Sequence, residues 1–314
     1  MHSLGIFAAR FKPQASELAA RLVHLAQEHG VEVKLQGECA SGIARPDLAA
    51  SDDVVAGCDV LVTLSGDGGV LGAARAAAPH KTPILAVDLG RLGFLSTVRP
   101  GEVDRAFEML LSDEFEVEER MMLDARVIRA ASVNRIKAPG EEASGEDETI
   151  TTDGGIDVGG SIGLNDAVVA KSALARILRL TISVEGERVA DVRADGLVIS
   201  TPTGSTAYAL AAGGPIVHPD VPLLLLCPIC AHSLALRPLV VGPHETVEVL
   251  AEWEGEEVTT SEIEAMLTID GQVGVQLQSG DVVRIRCAEE KARLLRTPHD
   301  GFYTRLREKM RWGH

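Results

Sequence analysis

The 314-residue sequence contains no run of lysines or arginines and carries a formal net charge of −16. Without a basic patch to override that negative potential, the surface opposes nucleic acid and anionic lipid as partners. No stretch reaches the roughly eighteen uninterrupted apolar residues of a membrane span, and the opening MHSLGIFAARF lacks the basic-then-apolar plan of an export signal. A cytoplasmic location is the expectation. Five cysteines, an odd number, fit reduced thiols better than a disulfide framework. Cys227 and Cys230 form one C-x-x-C inside VPLLLLCPIC, but no second ligand pair exists to complete a zinc site. Both are read as core thiols near a strand end. The nine histidines show no H-x-x-x-H pair. Neither the P-loop pattern G-x-x-x-x-G-K-[ST] nor a G-x-G-x-x-G before a helix is present, which leaves the common nucleotide fingerprints without support.

What remains is a chain of ordinary globular composition, 46% hydrophobic and 24% charged, long enough for two cores. An acidic phosphate-handling enzyme stays possible, because backbone N–H groups and one or two local cations suffice to hold an anion.

The first third alternates short apolar runs with helical patterns, which predicts a mostly parallel open sheet with flanking helices. LGIFAA (4–9), VEVKL (31–35), CDVLVTL (58–64) and PILAV (83–87) are the expected strands. Pro13 opens a helix with Leu18, Leu22, Leu25 and Ala26 at helical spacing, and Gly30 sits where a left-handed cap belongs. VLGAARAAA (70–78) favours helix, which puts Asp67 on a strand-to-helix loop beyond the carboxyl end of a strand, where open α/β sheets bind ligands. VDRAFEMLL (103–111) is amphipathic. From about residue 115 to 286 short alternating segments predict an antiparallel β-rich domain, and 301–312 predicts a terminal helix. The expected organisation is therefore an α/β domain over 1–114, a β-rich domain over 115–286, and a tail over 287–314 packing back on the first domain. Residues 138–161, acidic and glycine-rich, are expected to form a solvated, mobile hairpin tip.

Two stretches carry chemistry. In SGDGGVL (65–71) the glycines at 66, 68 and 69 turn the chain tightly and hold the Asp67 carboxylate among backbone N–H groups. That suits a phosphorylated ligand, and equally a plain turn with a helix-capping aspartate. DGLVISTPTGSTAY (195–208) ends in a dense set of hydroxyls, at Thr201, Thr203, Ser205, Thr206 and Tyr208. Such a set lines a polar site or forms a heavily hydrogen-bonded turn.

These stretches, with GRLGFLS (90–96), Asn165-Asp166, AAGGPIVHPD (211–220), HSLALRP (232–238) and Asp270-Gly271-Gln272, occur in the order and spacing of NAD kinases, which the chain resembles over roughly residues 1–300. The resemblance implies a two-domain fold, α/β then β-rich, with the active site between the domains. It implies ATP or polyphosphate as donor, Mg²⁺ or another divalent cation with the ATP, NAD as acceptor, and a homodimer or homotetramer. It makes Asp67 the general base toward the 2′-hydroxyl of the adenosine ribose. The chemistry agrees, since an alcohol attacking the γ-phosphorus must give up its proton and a fixed carboxylate can take it. It makes Gly68 and Gly69 phosphate-binding amides and Phe94 part of the NAD pocket. Asn165 and Asp166 become the pair that binds ribose and adenine. Thr206, Ala207 and Tyr208 become adenine and substrate contacts, with Thr203 and Gln272 counted among the NAD-binding candidates. Asp195 matches an acid that, in the family's dimers, reaches a nicotinamide held by the neighbouring subunit.

Three departures stand out. The usual G-G-D-G-T is Ser65-Gly66-Asp67-Gly68-Gly69, the usual Asn-Glu is Asn165-Asp166, and the usual proline before His232 is Ala231. His218 and His232 are expected to orient loops, and Arg237 to reach phosphate or form an ion pair. Two other functions fit parts of the pattern. One is a lipid kinase of the diacylglycerol or sphingosine type with the same Gly-Asp-Gly loop. The other is a non-catalytic NAD(H)-binding module.

Overall fold

A computed structural model describes residues 1–8, 13–90, 93–129, 134–137, 148–151, 155–172, 177–233, 235–253, 265–298 and 301–310. The chain divides into two compact units, Met1–Arg120 with Glu290–His314, and Met121–Glu289.

The first unit is built on parallel strands. It contains β1 (Ser3–Ala8), α1 (Pro13–Glu28), β2 (Glu32–Gln36), α2 (Gly37–Gly42), β3 (Ala49–Ala50), α3 (Asp52–Ala56), β4 (Val60–Ser65), α4 (Asp67–Ala77), β5 (Pro83–Asp88) and α5 (Val103–Leu111). The strand order is β5-β4-β1-β2-β3, each neighbouring pair being parallel. β4 is buried along its whole length, as parallel strands covered on both faces are. α1 turns Ala15, Ala19, Leu22, Val23 and Ala26 inward at helical spacing. Gly30 beyond it takes φ +69°, the left-handed cap that the sequence predicts. Leu4, Ile6, Leu22, Leu35, Leu64 and Phe107 share one core.

Strands β6 (Glu116–Arg129), β7 (Asn134–Lys137), β8 (Glu148–Thr151), β9 (Ile156–Gly163), β10 (Asp166–Lys171), β11 (Leu178–Val184), β12 (Glu187–Ala194), β13 (Gly196–Ser200), β14 (Leu224–Ile229), β15 (Leu239–Val241), β16 (Val247–Glu252), β17 (Ala265–Ile269), β18 (Val273–Leu277) and β19 (Asp281–Arg296) follow, with α6 (Tyr208–Ala211) after β13 and α7 (Phe302–Met310) last. In the second unit one sheet runs β12-β11-β16-β19, with β6 beside β19 and β9 beside β6. The other runs β15-β14-β13-β10-β17-β18 and is antiparallel throughout. Leu197 and Ile199 of β13 enter a core with Leu180, Val249, Leu267 and Ile285. Val198 between them faces Leu225, Cys227 and Ala209, the alternation that fixes register when both faces of a strand are covered.

The architecture is the expected one, an α/β unit with a parallel sheet and a β-rich unit. Three local expectations are corrected. Glu148–Thr151 and Ile156–Gly163 of the acidic stretch are strands, β8 pairing with β7 and β9 with β6; residues 138–147 and 152–154 lie outside the described residues. Cys227 is buried, but Cys230 is exposed just past the end of β14 at φ +47° and is no core thiol. Asp67 is the first residue of α4 rather than a loop residue, because Gly66 takes the extended N-cap conformation. A carboxylate there sits favourably at the positive end of the helix dipole.

Candidate active site

In the first unit, β4 and β5 lie side by side and both end at the same sheet edge, with Ser65 opposite Asp88. The chain leaving β5 returns to that edge: the Leu89 N–H donates to the Ser65 carbonyl at 3.1 Å, and those of Thr97 and Val98 donate to Ala86 at 3.0 and 3.1 Å. Residues 93–96 are thereby held over the start of α4. The Asp67 carboxylate accepts from the backbone N–H of Phe94 at 2.9 Å and of Leu95 at 3.3 Å. Gly93 makes this approach possible, since a Cβ there would collide with that carboxylate. Asp67 is partly exposed, and Gly68 and Gly69 are exposed. The Gly69 N–H donates to the Gly66 carbonyl at 2.9 Å within the turn. Phe94 is partly exposed, with Lys309 Nζ of α7 5.5 Å from its ring centroid, the range of a cation–π contact.

The departure at positions 65 and 69 has a single steric cause. Ser65 Oγ lies 2.8 Å from Thr63 Oγ1 and donates to the Gly66 carbonyl at 3.0 Å. A Cβ at Gly69 would collide with the Ser65 side chain. A side chain at 65 and one at 69 therefore exclude each other.

The second unit gathers its candidates at one end of the six-stranded sheet. β10 starts where β13 and β17 end, Asp166 facing Ser200 and Ala167 facing Ile269. Their loops are knit together by backbone bonds. Asp270, buried and at φ +53°, accepts from the N–H groups of Leu164 at 3.0 Å, Asn165 at 2.7 Å and Asp166 at 3.3 Å. Thr201 Oγ1 donates to the Leu164 carbonyl at 2.6 Å and accepts from the Gly204 N–H at 3.2 Å. Ser205 Oγ donates to the Pro202 carbonyl at 2.6 Å and accepts from the Val217 N–H at 2.9 Å. Thr206 Oγ1 donates to the Thr203 carbonyl at 3.3 Å. Gly204 packs so closely on the Asn165 carbonyl that a Cβ would collide with it. Thr203 is buried and Thr206 partly buried, whereas Ala207, Tyr208 and Gln272 are exposed. The Gln272 N–H closes its turn on the Ile269 carbonyl at 3.0 Å.

Asp166 is 6% exposed. Burial first, and then the charge of Asp270, push its carboxyl up to about 7. Near neutral pH it is therefore partly protonated, able to donate a hydrogen bond as well as accept one.

Asp195 is not part of this group. It lies at the opposite end of the same strands, where its carbonyl accepts from the Lys171 N–H at 3.0 Å and its carboxylate pairs with Lys171 Nζ at 2.9 Å. His218 Nδ1 lies 3.6 Å from Asp220 Oδ2, and exposed Arg237 donates to the Leu236 carbonyl at 2.9 Å. Sequence reasoning passed over the holding role of Asp270, the steric role of Ser65, and Arg296. The first two sit inside motifs, so their positions were visible if not their work. Arg296 lies in no motif.

A model of the ATP-NAD kinase N-terminal domain matches residues 4–115, and one of the ATP-NAD kinase C-terminal domain matches residues 164–297. The NAD kinase of Moorella thermoacetica is 36% identical over 313 residues, covering 100% of this chain and 90% of the relative. That of Citrifermentans bemidjiense is 36% identical over 316 residues, covering 100% and 99%. Among solved structures, yeast NADH kinase complexed with NADH aligns with a TM-score of 0.80 at 23% identity, over 100% of this chain and 88% of that one. An Archaeoglobus fulgidus NAD kinase in complex with ATP aligns with a TM-score of 0.68 at 21% identity, over 99% and 97%. At those identities the structural likeness speaks for the fold.

Proposed function

The chain belongs to the NAD kinase family, and from that premise we propose that it transfers the γ-phosphate of ATP, or a phosphate of polyphosphate, to the 2′-hydroxyl of the adenosine ribose of NAD, with Asp67 as general base. The observation that carries this reading is the fixed carboxylate of Asp67. Its bonds from the amides of Phe94 and Leu95 occupy two of about four acceptor positions on a carboxylate. Capacity remains for the proton that the attacking hydroxyl releases, and the group does not have to be oriented anew in each turnover. The exposed first turn of α4, with Gly68 and Gly69, is the proposed phosphate-binding element.

NAD is proposed to meet Asn165, Asp166, Thr203, Thr206, Ala207, Tyr208 and Gln272 of the second unit, and Phe94 is proposed as a further NAD contact. A carboxyl near half-protonation at Asp166 suits a ribose hydroxyl or an adenine edge, either of which offers both donors and acceptors. Asp195 keeps its proposed role toward the nicotinamide held by a neighbouring subunit of a homodimer or homotetramer. Any such contact has to share the carboxylate with Lys171. Among the described residues no group of three or more His, Cys, Asp or Glu is placed to hold a metal. Mg²⁺ is proposed to ride on the donor's phosphates, where it would neutralise their charge. Among the described residues no helix is long and apolar enough to cross a membrane. Family membership leaves the lipid-kinase and non-catalytic readings without support.

Purified protein with Mg²⁺, ATP and NAD is expected to form NADP, and Asp67→Asn to lower kcat about a hundredfold or more with NAD binding retained. A donor-by-acceptor matrix that yields no NADP with ATP or polyphosphate ends this reading.

A further inference from the structure

Arg296 is the last residue of β19 and is 4% exposed. Its guanidinium reaches four groups. Nε donates to Glu118 Oε2 at 2.6 Å, Nη1 to the Leu95 carbonyl at 2.8 Å and to Thr97 Oγ1 at 2.9 Å, and Nη2 to the Phe94 carbonyl at 3.5 Å. The Phe94 carbonyl and the Leu95 N–H belong to one peptide plane, so that peptide is gripped from both ends, by Arg296 on one side and the Asp67 carboxylate on the other. Thr97 Oγ1 adds a bond to the Leu295 carbonyl at 2.8 Å, which fastens the far end of the loop to β19.

The charge is held in place at some expense. Burial alone would raise Glu118, yet the charges and hydrogen bonds of Arg120 and Arg296 bring it down to about 2. Burial and the nearby charge of Arg305 draw Arg296 down to about 10, still above neutral pH. A buried ion pair seldom stabilises a fold more than apolar side chains of equal volume would. What a guanidinium provides instead is a rigid planar fork that can hold a carboxylate and several loop oxygens at fixed angles.

We propose that Arg296, anchored by Glu118, is a positioning residue for phosphoryl transfer: it fixes the 94–97 loop and, through the amides of Phe94 and Leu95, the orientation of the Asp67 carboxylate. The proposal rests on Asp67 being the base. It makes Arg296 matter chiefly to rate, since its described bonds run to Glu118 and to the loop whose amides hold the Asp67 carboxylate.

The test compares wild type, Asp67→Asn, Arg296→Lys and Thr97→Val for kcat, KM for NAD and ATP, thermal melting, and hydrogen exchange at the Phe94 and Leu95 amides. Lysine keeps the charge and loses the fork. Arg296→Lys is expected to lower kcat about tenfold or more, leave both KM values within about threefold, and speed exchange at the two amides. Thr97→Val removes one arm of the guanidinium's grip together with the bond to the Leu295 carbonyl, and is expected to lower kcat about threefold. An Arg296→Lys enzyme with kcat within about twofold of wild type, or with KM raised at unchanged kcat, overturns the proposal. Should Arg296→Lys fail to fold, an unchanged kcat in Thr97→Val overturns it equally. Wild type that forms no NADP, or Asp67→Asn that keeps its turnover, indicts the assignment of the base instead. The exchange measurement reads the loop independently of any activity.

Discussion

Asp67 and Asp270 each use a carboxylate to gather backbone N–H groups from a neighbouring loop, in surroundings that differ. Asp67 opens α4 at a sheet edge, is partly exposed, and takes two amides. Asp270 is buried in a tight turn at positive φ, takes three amides, and lies beside Asp166, whose carboxyl its charge helps to raise. A carboxylate that must exchange a proton with a ligand needs access and spare lone pairs. One that only holds a turn does better fully surrounded by donors, because each bond then works in a low dielectric. The same acceptor chemistry is thus divided by exposure, the proposed base in the α/β unit and a structural carboxylate in the β-rich unit.

Two glycines put that division under test with the largest expected effects. Gly93→Ala drives a methyl into the Asp67 carboxylate, a side chain that can swing away. The variant should fold, melt near wild type, and lose about a hundredfold in kcat if the displaced carboxylate is the base we propose. Gly204→Ala drives its methyl into the Asn165 carbonyl, which belongs to backbone already tied by Thr201. That obstacle cannot swing, so stability should fall by about 3 kcal/mol, visible as an earlier urea midpoint. If Gly93→Ala unfolds while Gly204→Ala merely slows turnover, the assignment of a movable acid to one unit and a fixed turn to the other is reversed.

A smaller effect is expected at the Ser65–Gly69 pair. Gly69→Thr restores the family's usual threonine but collides with Ser65, and about tenfold of kcat should be lost. Adding Ser65→Gly clears the space and should bring kcat back to within about threefold of wild type. Equal damage in the single and double variants would mean that the two positions are not coupled.

The legible parts of this molecule are those set by local pattern. The helix expected at 103–111 is α5, Val103–Leu111, because Val103, Ala106, Phe107 and Leu110 mark one face. Strands β4 and β5 differ from expectation by a residue or two at their ends, where hydrogen bonding to the next loop decides. Contacts distant in sequence were invisible. Arg296 meets the 94–97 loop across about 200 positions, and no periodicity carries that information. The hydroxyl string at 200–206 was legible as a turn or a polar lining but not as which of the two. Thr201, Ser205 and Thr206 donate to backbone carbonyls, so much of its polarity is internal. Asp195 and Asn165 look like neighbours in a motif list, yet antiparallel pairing puts them at opposite strand ends.

The smallest effect concerns the pH dependence of stability, and there two acids, half-buried Glu118 in one unit and buried Asp166 in the other, should behave oppositely. Glu118, brought down to about 2 by its arginines against its burial, contributes stability that is present above its unfolded value near 4.5 and lost as pH falls toward 2. Asp166 runs the other way. Its folded pKa of about 7 exceeds the unfolded value of 3.8, so between those limits the folded state binds the extra proton and stability declines as pH rises. Asp166→Asn removes that proton uptake. Relative to wild type, the variant should be unchanged or slightly weaker near pH 4 and gain roughly several degrees in Tm by pH 8. A Tm difference that stays flat from pH 4 to 8 would show that the Asp166 carboxyl titrates alike in the folded and unfolded states.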